Sequence, residues 1–305
     1  MKNTVVDIHD IRKSFGDVNA VNGVSVTVHS GEMFAFVGPD GAGKTTLMRI
    51  LCGVLHPDSG TGTVAGHDLI THIDEVKKKI GYLSQRFSLY GDLTIDENIE
   101  FFARIHGVKD FHSKRNELLD FMRLTPFRSR RADRLSGGMK QKLALSCTLI
   151  HTPEVLFLDE PTTGVDPVSR RDFWKILSHL LKSGITIIMN TPYLDEAERC
   201  NRIGLINEGS ILVTDTPQAM KKRMQGVLYE IVGSDIRSMA AQLLAEGISG
   251  EVQTFGDRVT VVLDKSHAAY QRLKAFIVRN NERITSSRVI PPTLENVFIS
   301  LLRGQ

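Results

Sequence analysis

Eight consecutive residues near the amino terminus have the types and spacing that bind a phosphate group. They follow the pattern G-x-x-x-x-G-K-[ST], are followed by Thr46, and read Gly38, Pro39, Asp40, Gly41, Ala42, Gly43, Lys44 and Thr45. Glycines let backbone N–H groups turn toward phosphate oxygens, Lys44 can reach the terminal phosphates, and the Thr45 hydroxyl can ligate Mg²⁺. An apolar run at 33–37 and a helical run at 46–51 flank the loop, and this order favours a phosphate site over a glycine-rich turn that binds nothing.

Two adjacent carboxylates, Asp159 and Glu160, come at the end of the apolar run 155–158. Such a run is typical of a strand buried on both faces. At the carboxyl end of that strand, Asp159 can enter a magnesium shell and Glu160 can polarise the attacking water. The alternative is a surface Asp-Glu pair, which the upstream phosphate loop makes the weaker interpretation.

A second anion site is predicted at residues 135–139, where no strand precedes the loop. Ser136 is placed as a helix N-cap, and Gly137 and Gly138 open the backbone at the helix start. We interpret this segment as a second binding surface that closes on nucleotide held by another subunit. The alternative is an ordinary loop-to-helix cap.

These motifs, in this order, resemble the ATPases of ABC transporters over residues 1 to about 220. The resemblance implies an α/β fold, namely a P-loop NTPase cassette with a mixed sheet and a helical subdomain, and it implies ATP and Mg²⁺ as ligands. It maps residues 135–139 onto the signature motif and residues 155–160 onto Walker B, with Glu160 as the catalytic carboxylate.

The resemblance also assigns three single residues. Gln85 falls at the Q-loop, where it would contact Mg²⁺ together with Thr45 and Asp159. Asp166 falls in the D-loop, which crosses to the opposite subunit. Phe15 occupies the position that stacks on adenine, and the alternative for this residue is a core side chain beside the first strand.

Two domains are expected. Residues 1–224 would form the ATP-binding domain, with a helical subdomain at about 86–150 that includes a capping box from Thr94 to Glu97. Residues 225–305 would form a small α+β, ferredoxin-like accessory domain, because their pattern reads βαββαβ before a final helix. The predicted elements are strands 227–233, 250–255, 258–263 and 283–290, and helices 235–246, 267–280 and 293–302.

Composition limits the partners. The chain has 305 residues, 41% of them hydrophobic, and a net charge of +3 that does not argue for nucleic acid. Three scattered cysteines, Cys52, Cys147 and Cys200, fit buried thiols in a reducing compartment. No apolar run reaches the roughly 18 residues of a membrane span, and the amino terminus lacks a signal-peptide core. We therefore expect a cytoplasmic protein, peripheral on the inner membrane face, that works with a separate integral membrane permease and a second ATP-binding subunit.

Segments 135–141, 193–200 and 292–298 resemble the branch of this family that exports drugs, antibiotics and polysaccharides. One position departs from the family, because Pro192 stands where a histidine that contacts the γ-phosphate is expected. Three interpretations follow: hydrolysis is slow with Glu160 sufficient, Thr191 or Asn190 replaces the donor, or the subunit pairs with a different ATPase that keeps its histidine.

The sequence bears on two other functions. Pro192 suggests a regulatory ABC subunit that hydrolyses ATP weakly, although Lys44, Asp159 and Glu160 are intact. A soluble ABC protein that acts on ribosomes or DNA is disfavoured by the single cassette and the nearly balanced charge.

Overall fold

The computed structural model describes residues 3–85, 89–224, 226–249, 251–263 and 266–303. The chain divides into two compact units, Met1–Thr216 and Pro217–Gln305. Residues 86–88, where the helical subdomain was predicted to begin, and residues 225 and 250, where the accessory domain and one of its strands were predicted to begin, lie outside the described residues. Within the described ranges, none of the helices combines the length and apolar composition that spanning a bilayer requires.

The first unit contains two sheets. Its strands are β1 (Thr4–Phe15), β2 (Val18–His29), β3 (Met33–Val37), β4 (Ser59–Val64), β5 (His67–Asp68), β6 (Ile80–Leu83), β7 (Val155–Asp159), β8 (Thr186–Thr191), β9 (Arg202–Asn207) and β10 (Ser210–Asp215). Its helices are α1 (Lys44–Leu51), α2 (Ile73–Lys79), α3 (Ile95–Ile105), α4 (His112–Phe121), α5 (Gly137–Leu149), α6 (Pro167–Lys182) and α7 (Leu194–Ala197).

The larger sheet has six strands in the order β10-β9-β3-β8-β7-β6. Its strands are parallel except for β10, which pairs antiparallel with β9. Every residue of β3, β7 and β8 is buried, and for β7 the apolar run 155–158 predicted this. The carboxyl ends of β3, β7 and β8 therefore meet at one edge of the sheet, where Gly38, Glu160 and Pro192 follow them.

The smaller sheet is antiparallel, in the order β2-β1-β4-β5. Apolar side chains from β1 and β2 pack in one core with Phe34 and Phe36 of β3 and Leu47 of α1. This core anchors both ends of the loop between β3 and α1. The three cysteines are buried, free thiols, as predicted.

Helices α3, α4 and α5 lie in the segment between β6 and β7. The capping box is confirmed at the start of α3, because Thr94 Oγ1 accepts from the Glu97 N–H at 3.2 Å and a Glu97 carboxylate oxygen accepts from the Thr94 N–H at 2.8 Å. α5 contacts α3 and α4, and it begins at Gly137 with Ser136 as its N-cap.

The second unit follows the predicted βαββαβ order. Its elements are α8 (Pro217–Lys222), β11 (Val227–Gly233), α9 (Ile236–Ala245), β12 (Glu251–Phe255), β13 (Arg258–Leu263), α10 (His267–Arg279), β14 (Ile284–Ile290) and α11 (Leu294–Arg303). The four strands form an antiparallel sheet in the order β12-β13-β11-β14, and α9 and α10 contribute to its core. The unit begins at Pro217 instead of the predicted residue 225, because α8 packs against α11.

Candidate nucleotide-binding site

The loop between β3 and α1 requires glycine at its two ends. A Cβ atom on Gly38 would lie 2.1 Å from the Ile206 carbonyl oxygen. Gly43 has φ 94°, and a Cβ atom there would lie 2.0 Å from the Ala20 carbonyl oxygen. The backbone of the loop can therefore pack this closely only without side chains at these positions.

Lys44 is the first residue of α1 and is only 4% exposed. Its Nζ donates to the carbonyl oxygens of Gly38 at 2.9 Å and Pro39 at 2.8 Å. Burial lowers the pKa of Lys44, while the carboxylates of Glu160, Asp40 and Asp159 act in the opposite direction. Two neutral carbonyl oxygens thus hold the ammonium over the loop. An anionic phosphate oxygen is a stronger acceptor and would replace them.

Asp159 ends β7 and is 1% exposed. Its Oδ1 accepts from the Thr45 hydroxyl at 3.0 Å and from Asn190 Nδ2 at 3.0 Å, and its Oδ2 accepts from the Tyr82 hydroxyl at 3.3 Å. Burial, and secondly the charge of Asp159, raise the pKa of Tyr82, so the phenol stays a donor. Side chains from α1, β6 and β8 thereby orient the Asp159 carboxylate toward the start of α1.

The donor set at this point fits Mg²⁺. Thr45 and Asp159 supply hard oxygen atoms, and Mg²⁺ in nucleotide sites takes one or two protein oxygens together with phosphate and water. Gln85 was predicted as a third ligand. In this structure it is exposed, and its Nε2 donates to Glu160 Oε2 at 2.9 Å, so it contacts the predicted base and not the Thr45–Asp159 pair.

Glu160 has the left-handed backbone angle φ 48°, which is uncommon outside glycine. Its N–H donates to the Asn190 carbonyl oxygen at 3.1 Å. This turn carries the half-buried side chain to the wall of a cleft of about 540 Å³, across from the loop. Sequence reasoning did not predict the other walls, which come from the start of β2 and from Glu208 and Gly209 in the β9–β10 turn.

Phe15 is the last residue of β1 and is 52% exposed, so the alternative of a core side chain is wrong. It pairs with Val18, which lines the cleft. Lys13 Nζ lies 5.7 Å from the centre of its ring. The stacking role of Phe15 stays a prediction.

The segment 136–138 opens α5 as predicted. Ser136 is the N-cap and accepts from the Met139 N–H at 3.4 Å, while Ser136 and Gly137 are exposed. A Cβ atom on Gly138 would lie 2.3 Å from Ser169 Oγ on α6. Among the described residues, none of these three belongs to the walls of the cleft.

Asp166 caps α6, where Pro167 takes the first helical position. Its Oδ1 accepts from the N–H groups of Val168 and Ser169, each at 3.0 Å. A hydrogen bond from the Ser169 side chain, and secondly these backbone N–H contacts, lower the pKa of Asp166.

The half-buried Pro192 follows β8. The two neighbours that could replace a missing histidine are engaged elsewhere in the chain. Asn190 Nδ2 donates to Asp159, and the Thr191 hydroxyl donates to Glu196 Oε2 at 2.8 Å while it accepts from the Tyr193 N–H at 3.0 Å.

A buried glutamate with its partners, absent from the sequence-based prediction, stabilises this segment. Glu196 is 1% exposed and accepts from the hydroxyls of Thr162 and Thr191 and from Arg170 Nε, the last at 2.7 Å. Arg170 also lies 4.9 Å from the centre of the Tyr193 ring. Glu196 with these partners thus ties the residues after β7 and β8 to α6.

Comparison with known proteins finds similarity to ATP-binding proteins of transport and export systems. The family model described as ABC transporter matches residues 21–163. The probable multidrug ABC transporter ATP-binding protein YbhF of Escherichia coli strain K12 is 46% identical over 100% of this chain, which spans 53% of YbhF, about half its length. The Nod factor export ATP-binding protein I of Burkholderia lata is 35% identical over 97% of this chain and 96% of its own length.

Solved structures agree with the fold. CbiO1 from Clostridium perfringens, part of the ABC transporter complex cbiONQ, is 26% identical with a TM-score of 0.66 over 73% of this chain and 92% of its own. A dimeric, post-hydrolysis state of the ATP-binding cassette MJ0796 bound to ADP and Pi is 25% identical with a TM-score of 0.63 over 69% of this chain and 98% of its own. The chain therefore belongs to the family of ABC transporter ATP-binding proteins, and its first unit is an ABC ATPase cassette.

Proposed function

We propose that this chain binds and hydrolyses Mg²⁺-ATP between two ATP-binding subunits and so drives export through a separate integral membrane permease. The observation that carries the proposal is the division of the predicted groups into two places. Lys44, Thr45, Asp159 and Glu160 converge on one side of the chain. Ser136 and Gly137 are exposed at the start of α5, outside that cleft.

Within one subunit, the backbone N–H groups of residues 38–46 and the Lys44 ammonium would bind the phosphates. Thr45 and Asp159, with Gln85 after it leaves Glu160, would hold Mg²⁺, which neutralises phosphate charge when bound. Glu160 would accept a proton from the attacking water, and Phe15 would stack on the adenine.

The second subunit would supply Ser136, Gly137 and Gly138. An exposed helix start with a serine N-cap presents N–H groups and a hydroxyl to an anion. Such a surface suits the γ-phosphate held by a partner, with Asp166 beside the interface. The dimeric MJ0796 cassette supports pairing of this kind. The pair is a homodimer or a heterodimer with a second ATP-binding subunit.

The names of the relatives support export as the direction of transport, since they refer to multidrug transport and Nod factor export. The chain would then act in the cytoplasm, peripheral on the inner face of the cell membrane, and would not bind nucleic acid. A second candidate is a regulatory subunit that hydrolyses ATP weakly. Pro192 favours it, because proline has no side-chain donor at the position where a histidine that contacts the γ-phosphate is expected.

The test compares Glu160→Gln with the unchanged chain in ATP binding and phosphate release. Removal of a general base slows the reaction by about a hundredfold to ten-thousandfold, so we expect slow release with ATP affinity retained. Glu117→Gln, an exposed carboxylate on α4, is the matched control. Equal rates for the unchanged chain and Glu160→Gln would favour the regulatory candidate, and absence of Mg²⁺-dependent ATP binding would overturn both.

A further inference from the structure

Asn190 is a polar residue in an otherwise apolar stretch of a buried strand. It follows Ile187, Ile188 and Met189 in β8, and its exposure is 0%. Buried amides normally have partners for both the nitrogen and the oxygen. The nitrogen of Asn190 donates to Asp159 Oδ1 at 3.0 Å, but its Oδ1 has no hydrogen-bond partner among the described residues.

Residue 190 contacts the carboxylate of Asp159 and the backbone of Glu160. β7 and β8 are parallel neighbours in which Asp159 lies opposite Asn190. The Asn190 side chain donates to Asp159, and the Asn190 carbonyl oxygen accepts from the N–H of Glu160 at 3.1 Å. One residue of β8 therefore helps to orient Asp159, together with Thr45 and Tyr82, and supports the left-handed turn that carries Glu160.

The unpaired oxygen calls for a donor. A buried acceptor without a partner costs free energy, and an apolar side chain of similar size would avoid that cost. Because the Asn190 nitrogen faces a carboxylate, the amide cannot be turned to pair its oxygen there. The neighbouring donor set, Thr45 and Asp159, fits a divalent cation. Water bound to such a cation is an acidic O–H donor, and it reaches acceptors that do not touch the metal.

We propose that Asn190 is a positioning residue for the metal site: its nitrogen holds Asp159, and its Oδ1 accepts a hydrogen bond from a water molecule in the shell of the divalent cation bound with ATP. This inference rests on the proposed function, since it assumes that Thr45 and Asp159 hold the cation. It assigns to β8 a role in metal affinity that the phosphate loop and the two carboxylates do not account for.

The experiment measures Mn²⁺ binding by electron paramagnetic resonance in the presence of the β,γ-imido analogue of ATP, and nucleotide binding in EDTA. Loss of a residue that orients a metal ligand typically weakens metal binding about tenfold to a hundredfold. We expect a loss of this size for Asn190→Leu, with affinity for the analogue in EDTA unchanged. Asn98→Leu is the matched control, because Asn98 is also 0% exposed but bonds to Tyr90, Leu93 and Thr94 in the helical segment.

Each result decides between the two proposals. If the unchanged chain binds neither the analogue nor Mn²⁺, the proposed function fails. If it binds both and Asn190→Leu binds Mn²⁺ equally well, only the role of Asn190 is overturned. The role is also overturned if Asn190→Leu loses as much affinity for the analogue in EDTA as it loses for Mn²⁺. The same holds if Asn98→Leu loses as much Mn²⁺ affinity as Asn190→Leu, since either result indicates a general structural effect. Asn190→Ser is measured in parallel, so that a folded variant is available if the leucine does not fold, and wild-type Mn²⁺ affinity in it refutes the role.

Discussion

Replacement of Pro192 by histidine should raise ATP turnover although it lowers stability. Pro192 follows β8 at the sheet edge where the phosphate loop begins, because Thr191 pairs with Val37, the residue before Gly38. Proline has neither a side-chain donor nor a backbone N–H. Asn190 and Thr191 donate to Asp159 and Glu196, so these two side chains are engaged within the chain instead of with a γ-phosphate.

The size of the effect follows from one missing hydrogen bond. A hydrogen bond to a charged group contributes about 1.5–3 kcal/mol. If the bond forms mainly in the transition state, this free energy corresponds to about a tenfold to hundredfold increase in turnover. Removal of a proline increases the freedom of the unfolded chain and costs about 0.4–1 kcal/mol of stability. The variant should therefore be faster and less stable, a combination that general stabilisation cannot produce.

The assay is steady-state phosphate release by the assembled complex, with ATP affinity and the melting temperature measured on the same samples. Pro57→His is a matched control, since Pro57 is also half-buried but does not line the cleft. It should lose similar stability and gain no turnover. A folded Pro192→His variant with unchanged ATP affinity and unchanged turnover would refute the reasoning, and a similar gain in Pro57→His would assign the gain to flexibility.

Three further outcomes are expected. Arg170→Ala leaves Glu196 buried without its cation and should cost about 3–5 kcal/mol in urea unfolding, whereas a cost below 1 kcal/mol would contradict a paired Glu196. Gly38→Ala should displace the loop, because its Cβ would meet the Ile206 carbonyl oxygen at 2.1 Å, and wild-type ATP affinity by titration calorimetry would contradict this. Burial, and secondly His106, lower the pKa of His151 to about 4, so the unfolded chain binds the extra proton between pH 6.5 and 4. The free energy of unfolding should fall as pH decreases through that window and should fall less in His151→Gln, and identical pH profiles would contradict it.

The parts of the site that lie close together in the sequence were predictable. The phosphate loop, its glycines and Lys44 occupy eight adjacent positions, and Asp159 and Glu160 end one apolar strand. Spacing along the chain decides their geometry, because a strand, a loop and a helix start leave few arrangements open. The N-caps Thr94, Ser136 and Asp166 were predictable for the same reason.

The partners of Asp159 were not predictable in this way. Tyr82 and Asn190 reach it because β6 and β8 flank β7, and an amino-acid pattern identifies strands without giving their order in the sheet. The placement of residues 217–222 in the second unit was not predictable either, since α8 contacts α11, which is far away in the sequence. Long-range pairing is thus the information that was missing in both cases.

Asn190 in β8 and Pro192 directly after it are expected to act on different stages of the reaction. Asn190 contacts Asp159, the proposed metal ligand, and the backbone of Glu160, the proposed base, and both contacts exist before hydrolysis begins. Pro192 lacks a contact that would strengthen as charge develops on the transferred phosphate. Binding of ATP should therefore be retained while its hydrolysis is slowed. If hydrolysis is the step that reopens the paired subunits, each ATP would keep the pair closed about ten to a hundred times longer than it would with a histidine at 192. A long-lived closed pair would thus follow from an intact cleft next to a position 192 that lacks the γ-phosphate contact. It would require no defect in the phosphate loop.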